Sequence, residues 1–231
     1  MATNVLGSLL KQLKLQRKAA EQPSPPARPG APAVLNVGGN SKAIPIPAHY
    51  AGWQHLLLDI DASTDADIVC DARALTSLDA AQFDAVYCSH NLEHYFRHDV
   101  PRVLAGFLHV LKPDGFAEIK VPDLEAVFRK VTEGGLGLED DLYVSPGGPI
   151  TVLDVVYGWA KEIERSGEAC FAHKTGFTAR SLAATMQRAG FGEVWTAPPT
   201  GGYELRTIAF KGTSNAEQRK LLGIPVDASG A

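Results

Sequence analysis

The chain has 231 residues, 45% of them hydrophobic, which is sufficient for one sizeable core. The formal net charge of -4 and the lack of a long basic block argue against nucleic acid as the main partner. No apolar run approaches the roughly 18 residues of a membrane span, and the first residues contain no secretory apolar region. The three cysteines lie in apolar runs without C-x-x-C spacing, which is typical of reduced thiols in a cytoplasmic protein.

The first segment, residues 1–32, is predicted to be an amphipathic helix followed by a proline-rich linker. Apolar residues recur at helical spacing within residues 4–19, and basic residues occupy the rest of that surface. The stretch EQPSPPARPGAP cannot continue the helix. Such a terminal helix usually frays or docks on its own domain, but the basic amphipathic pattern also fits contact with a membrane surface or a partner protein. Because no acid precedes Glu21, a transit peptide is a further alternative.

Residues 33–212 contain short apolar runs with polar ends, the pattern of parallel strands buried on both faces. These runs are AVLNVGG, WQHLLLDID, ADIVCDA, FDAVYCS and GFAEIKVPD, and helical patterns in DVPRVLAGFLHVLKPDG, LEAVFRKVTEGG and TARSLAATMQRAGF follow the later ones. The last two strands, FGEVWTAP and PTGGYELRTIAFKG, are joined by a turn too short for a helix and should be antiparallel. The sequence therefore predicts an α/β, Rossmann-like three-layer sandwich, mainly parallel, with an antiparallel strand in a C-terminal hairpin and a tail over 213–231.

The residues that follow each predicted strand are the candidates for ligand binding, because open parallel sheets bind ligands at the carboxyl ends of their strands. The first strand ends in Gly38 and Gly39, and glycine allows a sharp turn and close approach to a ligand. Asp59 ends the second strand 21 positions after Gly38, where a carboxylate can accept hydrogen bonds from ribose hydroxyls. Asp71, after the third strand, suits an adenine amino group or the N-cap of a helix.

The fourth strand is followed by SHNLEHYFRHD, in which histidines stand four residues apart. The letters HNLEH fit a zinc-peptidase pattern that places two histidines on one face of a helix. Residues 83–88 are β-like, however, so Ser89 and His90 are expected at a strand end, where this helical geometry does not apply. No other cluster of histidines and acids offers an obvious third ligand, and we predict no metal site.

With these four strand ends aligned, the chain resembles the class I S-adenosylmethionine-dependent methyltransferases from about Leu35 to Lys211. LNVGGN is similar to their glycine motif, LLLDID to their ribose-binding acid and DIVCDARAL to their adenine-side motif. The stretch from FDAVYCS to KVPD resembles their fourth strand, helix and fifth strand, including LEH, VLKPDG and VPD. The short connection SKAIPIPAHYAGW and the stretch FAHKTGFT are similar to a type 11-like subset associated with bacterial cell-surface glycan biosynthesis.

This resemblance implies S-adenosyl-L-methionine as the cofactor and methyl transfer to a hydroxyl or amine of a small molecule or sugar. The cofactor-binding residues that it implies are Asn36, Gly38, Gly39, Asn40, Asp59, Ile60, Asp71, Ala72, Ser89 and His90. The chain departs from the family's acid-x-G-x-G pattern, because Asn36 replaces the acid and Asn40 the second glycine. Asn36 would then meet the ammonium group of the cofactor with an amide oxygen.

The candidate catalytic bases are His94, Asp123 and His173, since an alcohol acceptor benefits from a group that removes its proton. His94 follows the fourth strand, Asp123 follows the fifth, and His173 lies beyond a long insertion at about 134–172. The insertion exceeds an ordinary connection and is predicted to form a lid over the acceptor.

Two alternatives remain at this point. The altered glycine motif and the basic N-terminal helix fit a catalytically inactive methyltransferase-like module that serves in binding or assembly. A nicotinamide-dependent oxidoreductase is disfavoured, because GGNSK lacks the glycines that cradle phosphates.

Overall fold

The computed structural model describes residues 30–198 and 201–225, so the predicted N-terminal helix lies outside the described residues. The strands are β1 (Ala33–Val37), β2 (Gln54–Asp59), β3 (Ile68–Val69), β4 (Phe83–Ser89), β5 (Leu111–Pro122), β6 (Asp141–Ser145), β7 (Gly148–Thr151), β8 (Glu193–Thr196) and β9 (Glu204–Phe210). The α-helices are α1 (Val100–Val110), α2 (Leu124–Gly134), α3 (Val152–Tyr157), α4 (Ala160–Ser166), α5 (Ala179–Ala189) and α6 (Ala216–Leu222). Short 3₁₀ helices cover Ala48–Tyr50, Ala72–Ser77, Leu92–His94 and Ala169–Phe171.

Seven strands form one twisted sheet in the order β3-β2-β1-β4-β5-β9-β8, and β6 pairs with β7 in a separate hairpin. The pairs among β1 to β5 are parallel, whereas β9 runs antiparallel to both β5 and β8. The predicted Rossmann-like architecture with one reversed strand in a C-terminal hairpin is confirmed. Since β1, β2 and β4 are parallel neighbours, the residues that follow them meet at one edge of the sheet.

Both faces of the sheet are covered, which explains why its strands are apolar at nearly every position. All residues of β1 are buried. On one face, Leu35 and Val37 pack in a core that includes Leu104 and Phe107 of α1. The opposite face has a second cluster that contains Tyr50, Phe116 and Phe210 among other residues. The position of β1 at the centre of this double layer leaves the glycine turn after it with little freedom to shift.

One carboxylate lies inside the second layer and is fully paired. Glu118 of β5 has 0% of its surface exposed. Its Oε2 accepts hydrogen bonds from His49 Nε2 at 2.8 Å and from the Tyr50 hydroxyl at 2.9 Å, and its Oε1 accepts one from Arg206 Nε at 2.6 Å. Burial opposes ionisation, but the hydrogen bonds from His49 and Arg206 outweigh it and lower the pKa of Glu118.

Residues 213–225, which the sequence analysis assigns to a tail, pack against the domain. Asn215 begins α6 with a capping box, and Leu222 and Ile224 at its end are buried in the second layer. The guanidinium of Arg206 donates to the carbonyl of Leu222 at 3.0 Å. Two apolar side chains in so short a stretch give almost no periodicity, and the helix was therefore not recognisable from the sequence.

The predicted lid region at about 134–172 contains the β6–β7 hairpin, α3, α4 and the last 3₁₀ helix. It packs on α2 through a small core of Val127, Val152 and Val155. Across residues 30–198 and 201–225, no helix combines the length and the apolar character that crossing a membrane requires.

Candidate functional site

A cavity of about 330 Å³ lies outside the carboxyl ends of β1, β2 and β4. Its walls include Gly38, Asn40, Asp59, Ile60, His90 and His94, all of which the sequence analysis names. A second cavity of about 320 Å³ shares Ile60, Asn91 and His94 with the first and reaches Asp71 and Lys174. The two cavities are therefore neighbours with a common wall, an arrangement suited to two ligands in contact.

The turn after β1 brings the backbone to the edge of this cavity. Gly38 has φ of +75°, a conformation that glycine adopts without strain, and its amide donates to the carbonyl of Leu58 at 2.8 Å. A Cβ atom at Gly38 would lie 2.1 Å from Nδ2 of Asn91. The absence of a side chain is thus required at this position by both conformation and space.

Asp59 stands at the end of β2, opposite the glycine turn. Its carboxylate accepts hydrogen bonds from the backbone amides of Asn40 at 3.2 Å and Asp61 at 3.0 Å. These contacts hold the side chain at the cavity wall. A carboxylate oxygen has more than one acceptor position, so the two amides leave capacity for ligand hydroxyls.

Four other predicted cofactor residues do not line either cavity. Asn36 is 3% exposed, and its Nδ2 donates to His55 Nε2 at 3.2 Å. A Cβ atom at Gly39 would lie 2.2 Å from the same Nδ2, so Asn36 supports the glycine turn from beneath. Ala72 is buried at the start of a 3₁₀ helix, and Ser89 is half-buried at the end of β4.

Asp71 serves as an N-cap and as half of an ion pair. Its side chain accepts from the backbone amide of Arg73 at 2.9 Å and from the Arg73 guanidinium at 2.6 Å. Arg73 also reaches Asp99 at 3.3 Å. Asp71 remains part of the second cavity's wall, so its capping role and a contact with a ligand are compatible.

Glu93 and His173 line neither cavity, but both come together with His94, which lines the two cavities. The ring centroids of the two histidines are 4.9 Å apart, and Nε2 of His173 lies 4.0 Å from Oε1 of Glu93. One ligand atom from each residue falls within 4.8 Å of the other two. We refer to these three residues as the His–Glu cluster.

Backbone hydrogen bonds fix the two chain segments of the cluster against each other. The carbonyl of Glu93 accepts from the amides of Lys174 at 2.8 Å and Thr175 at 3.2 Å. The ammonium of Lys174 donates to the carbonyl of His94 at 3.0 Å, and the amide of His173 donates to the carbonyl of Tyr157 at 2.9 Å. The end of the insertion is therefore held against the 3₁₀ helix Leu92–His94 by hydrogen bonds to the carbonyls of Glu93 and His94.

Both imidazoles of the cluster are oriented by backbone carbonyls. Nδ1 of His94 donates to Ala172 O at 3.1 Å, and Nδ1 of His173 donates to Val155 O at 2.8 Å. A neutral histidine whose Nδ1 is the donor carries its free lone pair on Nε2. Burial lowers the pKa of His94, and the nearby His173 lowers it further, so His94 is neutral at pH 7.

Glu93 is 1% exposed, and neither of its carboxylate oxygens accepts a hydrogen bond from the described residues. Nδ1 of His90 lies 3.5 Å from Oε1, which is too far for a good hydrogen bond. The sequence analysis quoted Glu93 but gave it no role. Its position immediately before His94 at a strand end was the available signal.

His90 adopts φ of +48° and connects the cavity wall to β9. Its Nε2 donates to Glu204 Oε2 at 2.9 Å. Burial opposes its protonation, but the hydrogen bond to Glu204 and the nearby Glu93 outweigh this and raise the pKa of His90 to about 9. The hydrogen bond from His90 in turn lowers the pKa of Glu204 to about 2. His90 is therefore a cation at the edge of the first cavity.

Asp123 is separate from the His–Glu cluster. It is the N-cap of α2 and accepts from the amides of Glu125 at 3.0 Å and Ala126 at 3.3 Å. It is 8% exposed and lines neither cavity. The structure thus brings His94 and His173 together and leaves Asp123 in a capping role.

Residues 38–119 match the family described as a methyltransferase domain. The matched segment begins at the glycine turn and ends within β5, so it includes Asp59, His90 and His94. This segment, about a third of the chain, is therefore similar to a methyltransferase domain. No curated protein matches the sequence.

Solved structures are similar to this chain in fold. A protein from Pyrococcus horikoshii is 14% identical, with a TM-score of 0.51 over 89% of this chain and 91% of its own. A Burkholderia thailandensis 1,6-didemethyltoxoflavin-N1-methyltransferase, solved with S-adenosylhomocysteine, is 17% identical over 92% of this chain and 83% of its own, with a TM-score of 0.46. A methyltransferase from Archaeoglobus fulgidus is 15% identical over 88% and 94%, with a TM-score of 0.47. At this identity the likeness concerns the fold alone.

Proposed function

We propose that the protein transfers a methyl group from S-adenosylmethionine to a hydroxyl or amine of a small molecule, with a sugar as the favoured acceptor. One observation carries the proposal: the cavity bounded by Gly38 and Asp59 shares His94 with the neighbouring cavity. A cofactor in the first cavity and an acceptor in the second would then meet beside the His–Glu cluster. The preference for a sugar rests on the sequence resemblance to glycan-modifying relatives.

The residues of the first cavity fit the cofactor. Gly38 leaves room where a side chain would collide with Asn91, and the Asp59 carboxylate suits a ribose diol. The Oδ1 atom of Asn91 is buried and accepts no hydrogen bond from the described residues, so it suits an amino group of the cofactor. Because the Asn36 amide faces His55, we assign the ammonium to this Asn91 oxygen and the glycine turn.

The bound cofactor supplies an electrophilic methyl group on a sulfonium ion. The protein's own task is to align the acceptor and to hold its proton. His94 is neutral with its free lone pair on Nε2, so it can receive a proton from an acceptor hydroxyl. His173 is oriented in the same way and is the alternative acceptor of that proton.

Calorimetry with S-adenosylmethionine and S-adenosylhomocysteine tests the cofactor site. We expect the wild-type chain to bind both, and Asp59→Ala to weaken binding by about tenfold or more, since it removes contacts worth about 1.5–3 kcal/mol. Asp79→Ala is a matched control, because Asp79 is an exposed acid outside both cavities. Equal binding by the two variants would contradict the assignment of Asp59.

The second candidate is an inactive methyltransferase-like module, which the replacement of the motif acid by Asn36 favours. Screening sugars, nucleotide sugars and small amines for methylated products by mass spectrometry separates the two. A methylated product that disappears in His94→Ala supports the transfer reaction. Cofactor binding without any product across these classes, or no cofactor binding at all, favours the module.

A further inference from the structure

The His–Glu cluster has the composition of a metal site. Within residues 30–198 and 201–225, Glu93, His94 and His173 are the one group of three such side chains whose ligand atoms all lie within 4.8 Å of one another. Two imidazoles and a carboxylate are a frequent donor set for Zn²⁺ in catalytic sites, where a fourth position stays open. The sequence analysis lacked the third ligand because His173 is 79 positions after His94 and joins it only in the fold.

The burial of Glu93 and its lack of hydrogen bonds are the observations that indicate a bound cation. Its carboxylate is 1% exposed and accepts no hydrogen bond from the described chain. A buried carboxylate without partners is strongly unfavourable, and buried charges are normally paired or bound to metals. The nearest side-chain nitrogens, His90 Nδ1 at 3.5 Å and His173 Nε2 at 4.0 Å from Oε1, are too distant for good hydrogen bonds.

The orientation of the two histidines agrees with metal binding. Each donates its Nδ1 proton to a backbone carbonyl, Ala172 O for His94 and Val155 O for His173. Metal-binding histidines almost always donate their other ring nitrogen in this way, which fixes the tautomer and leaves the opposite nitrogen for the metal. Both Nε2 lone pairs are therefore available for an ion next to Glu93.

To bind one metal ion, the ligand atoms of the His–Glu cluster must move closer together. Ligand atoms about 2.0–2.1 Å from a tetrahedral Zn²⁺ lie about 3.4 Å from one another. The atoms of the His–Glu cluster lie within 4.8 Å of one another, so they must approach by up to about 1.4 Å, within the reach of side-chain rotations. The main-chain contacts of Glu93 with Lys174 and Thr175 keep the two segments in place during this movement.

We propose that Glu93, His94 and His173 bind one divalent transition-metal ion, with Zn²⁺ as the best fit, at the wall between the two cavities. The site as such does not depend on methyl transfer, but the role of the ion rests on the function proposed above. With the ion bound, His94 and His173 would be its ligands instead of proton acceptors, and an acceptor hydroxyl at the open position would become acidic enough to lose its proton to solvent. Its oxygen then forms the bond to the methyl carbon, while the methyl–sulfur bond breaks and leaves its electron pair on sulfur. The acceptor class is thereby narrowed to a hydroxyl compound.

The test is metal binding by the full chain after chelator treatment and in the absence of any acceptor. Calorimetry with Zn²⁺ and the visible absorption of added Co²⁺ should both give one site per chain. Loss of an outer hydrogen-bond partner already weakens metal binding by about 10–100-fold, so His173→Ala and Glu93→Gln should each weaken it by at least about 100-fold. His98→Ala is the matched control, because His98 belongs to the same segment but is largely exposed.

Thermal denaturation shows whether each variant is folded and whether Zn²⁺ binds to it. Zn²⁺ should raise the melting temperature of the wild type and of His98→Ala but not that of Glu93→Gln, which keeps the shape of the side chain. No binding by the wild type, or equal binding by Glu93→Gln and the wild type, would overturn the site. Methyl transfer that persists in metal-free protein would overturn the role of the ion while leaving the proposed function intact. Metal binding without any methyl transfer would leave the metal site intact and overturn the proposed function, together with the role of the ion in it.

Discussion

Glu118 and Glu93 are both buried, with 0% and 1% of their surface exposed, yet their surroundings differ completely. Glu118 accepts hydrogen bonds from His49, Tyr50 and Arg206. Glu93 accepts none from the described residues and lies beside two histidines, one of which, His94, lines both cavities. A fully paired buried carboxylate makes the fold depend on its partners, because removal of one partner leaves a buried charge uncompensated. A buried carboxylate without hydrogen bonds is retained at a cost and indicates a functional role.

The sharpest test of this difference is the loss of a neighbour of Glu93. His173→Ala should reduce methyl transfer by about 10²–10⁴-fold, the usual contribution of a group that handles the acceptor proton. Affinity for S-adenosylmethionine should stay unchanged, because His173 does not line the cavity at the glycine turn. The measurement is S-adenosylhomocysteine release with an acceptor found by the product screen, and His98→Ala serves as control. Unchanged turnover would remove His173 from the chemistry.

Arg206, a hydrogen-bond partner of Glu118, should matter for the stability of the fold rather than for methyl transfer. Arg206→Ala removes a guanidinium from a buried carboxylate and should lower the free energy of unfolding by about 3 kcal/mol. Urea denaturation measures it. Arg129→Ala breaks only an exposed pair with Glu125 and should change the same quantity by less than about 0.5 kcal/mol. Equal changes in the free energy of unfolding for the two variants would mean that the pairing of Glu118 with Arg206 does not stabilise the fold.

Glu93→Gln should move stability in the opposite direction from Arg206→Ala. Replacing a buried carboxylate that accepts no hydrogen bond by an amide of the same shape should raise the free energy of unfolding of the metal-free protein by about 1 kcal/mol. The comparison uses urea denaturation in the presence of a chelator. A clear loss of stability would show that Glu93 has a stabilising partner after all and would end the contrast with Glu118.

The smallest expected effect is on the pH dependence of stability under acidic conditions. The folded-state pKa of Glu118 is lowered, so its contribution to stability is complete above the unfolded value of about 4.3 and is lost as the pH falls through the folded value. Stability measured from pH 6 to pH 3 should therefore fall more steeply for the wild type than for Glu118→Gln. Parallel curves would show that the hydrogen bonds from His49 and Arg206 do not favour ionisation.

The sheet and part of the cavity at the glycine turn were predictable from sequence because both depend on local pattern. Continuous apolar runs identified the parallel strands, and the 21-residue spacing of Gly38 and Asp59 placed a carboxylate opposite the glycine turn. The direction of a side chain was not predictable in the same way. Asn36 faces His55 and Asp71 caps a 3₁₀ helix, and both choices depend on neighbours that the local sequence does not contain.

The His–Glu cluster shows where sequence reasoning ends. His94 and His173 were chosen separately as bases, but their contact depends on the path of the insertion between them. The role of Glu93 becomes visible only when burial and missing hydrogen bonds are known. Asp123 looked equivalent to His94, since both follow a strand, and the start of α2 gives its carboxylate a capping role instead.

The bridge between Gly158 and Ala172 makes residues 159–171 a loop with a narrow neck. A Cβ atom at Gly158 would lie 2.2 Å from the carbonyl oxygen of Phe171, so the two strands of the neck are in direct contact. Cys170 within this loop borders both cavities, while His173 is anchored just outside it. Residues 159–171 can therefore be replaced as a unit. Their sequence can be redesigned to change the cavity walls without displacing His173.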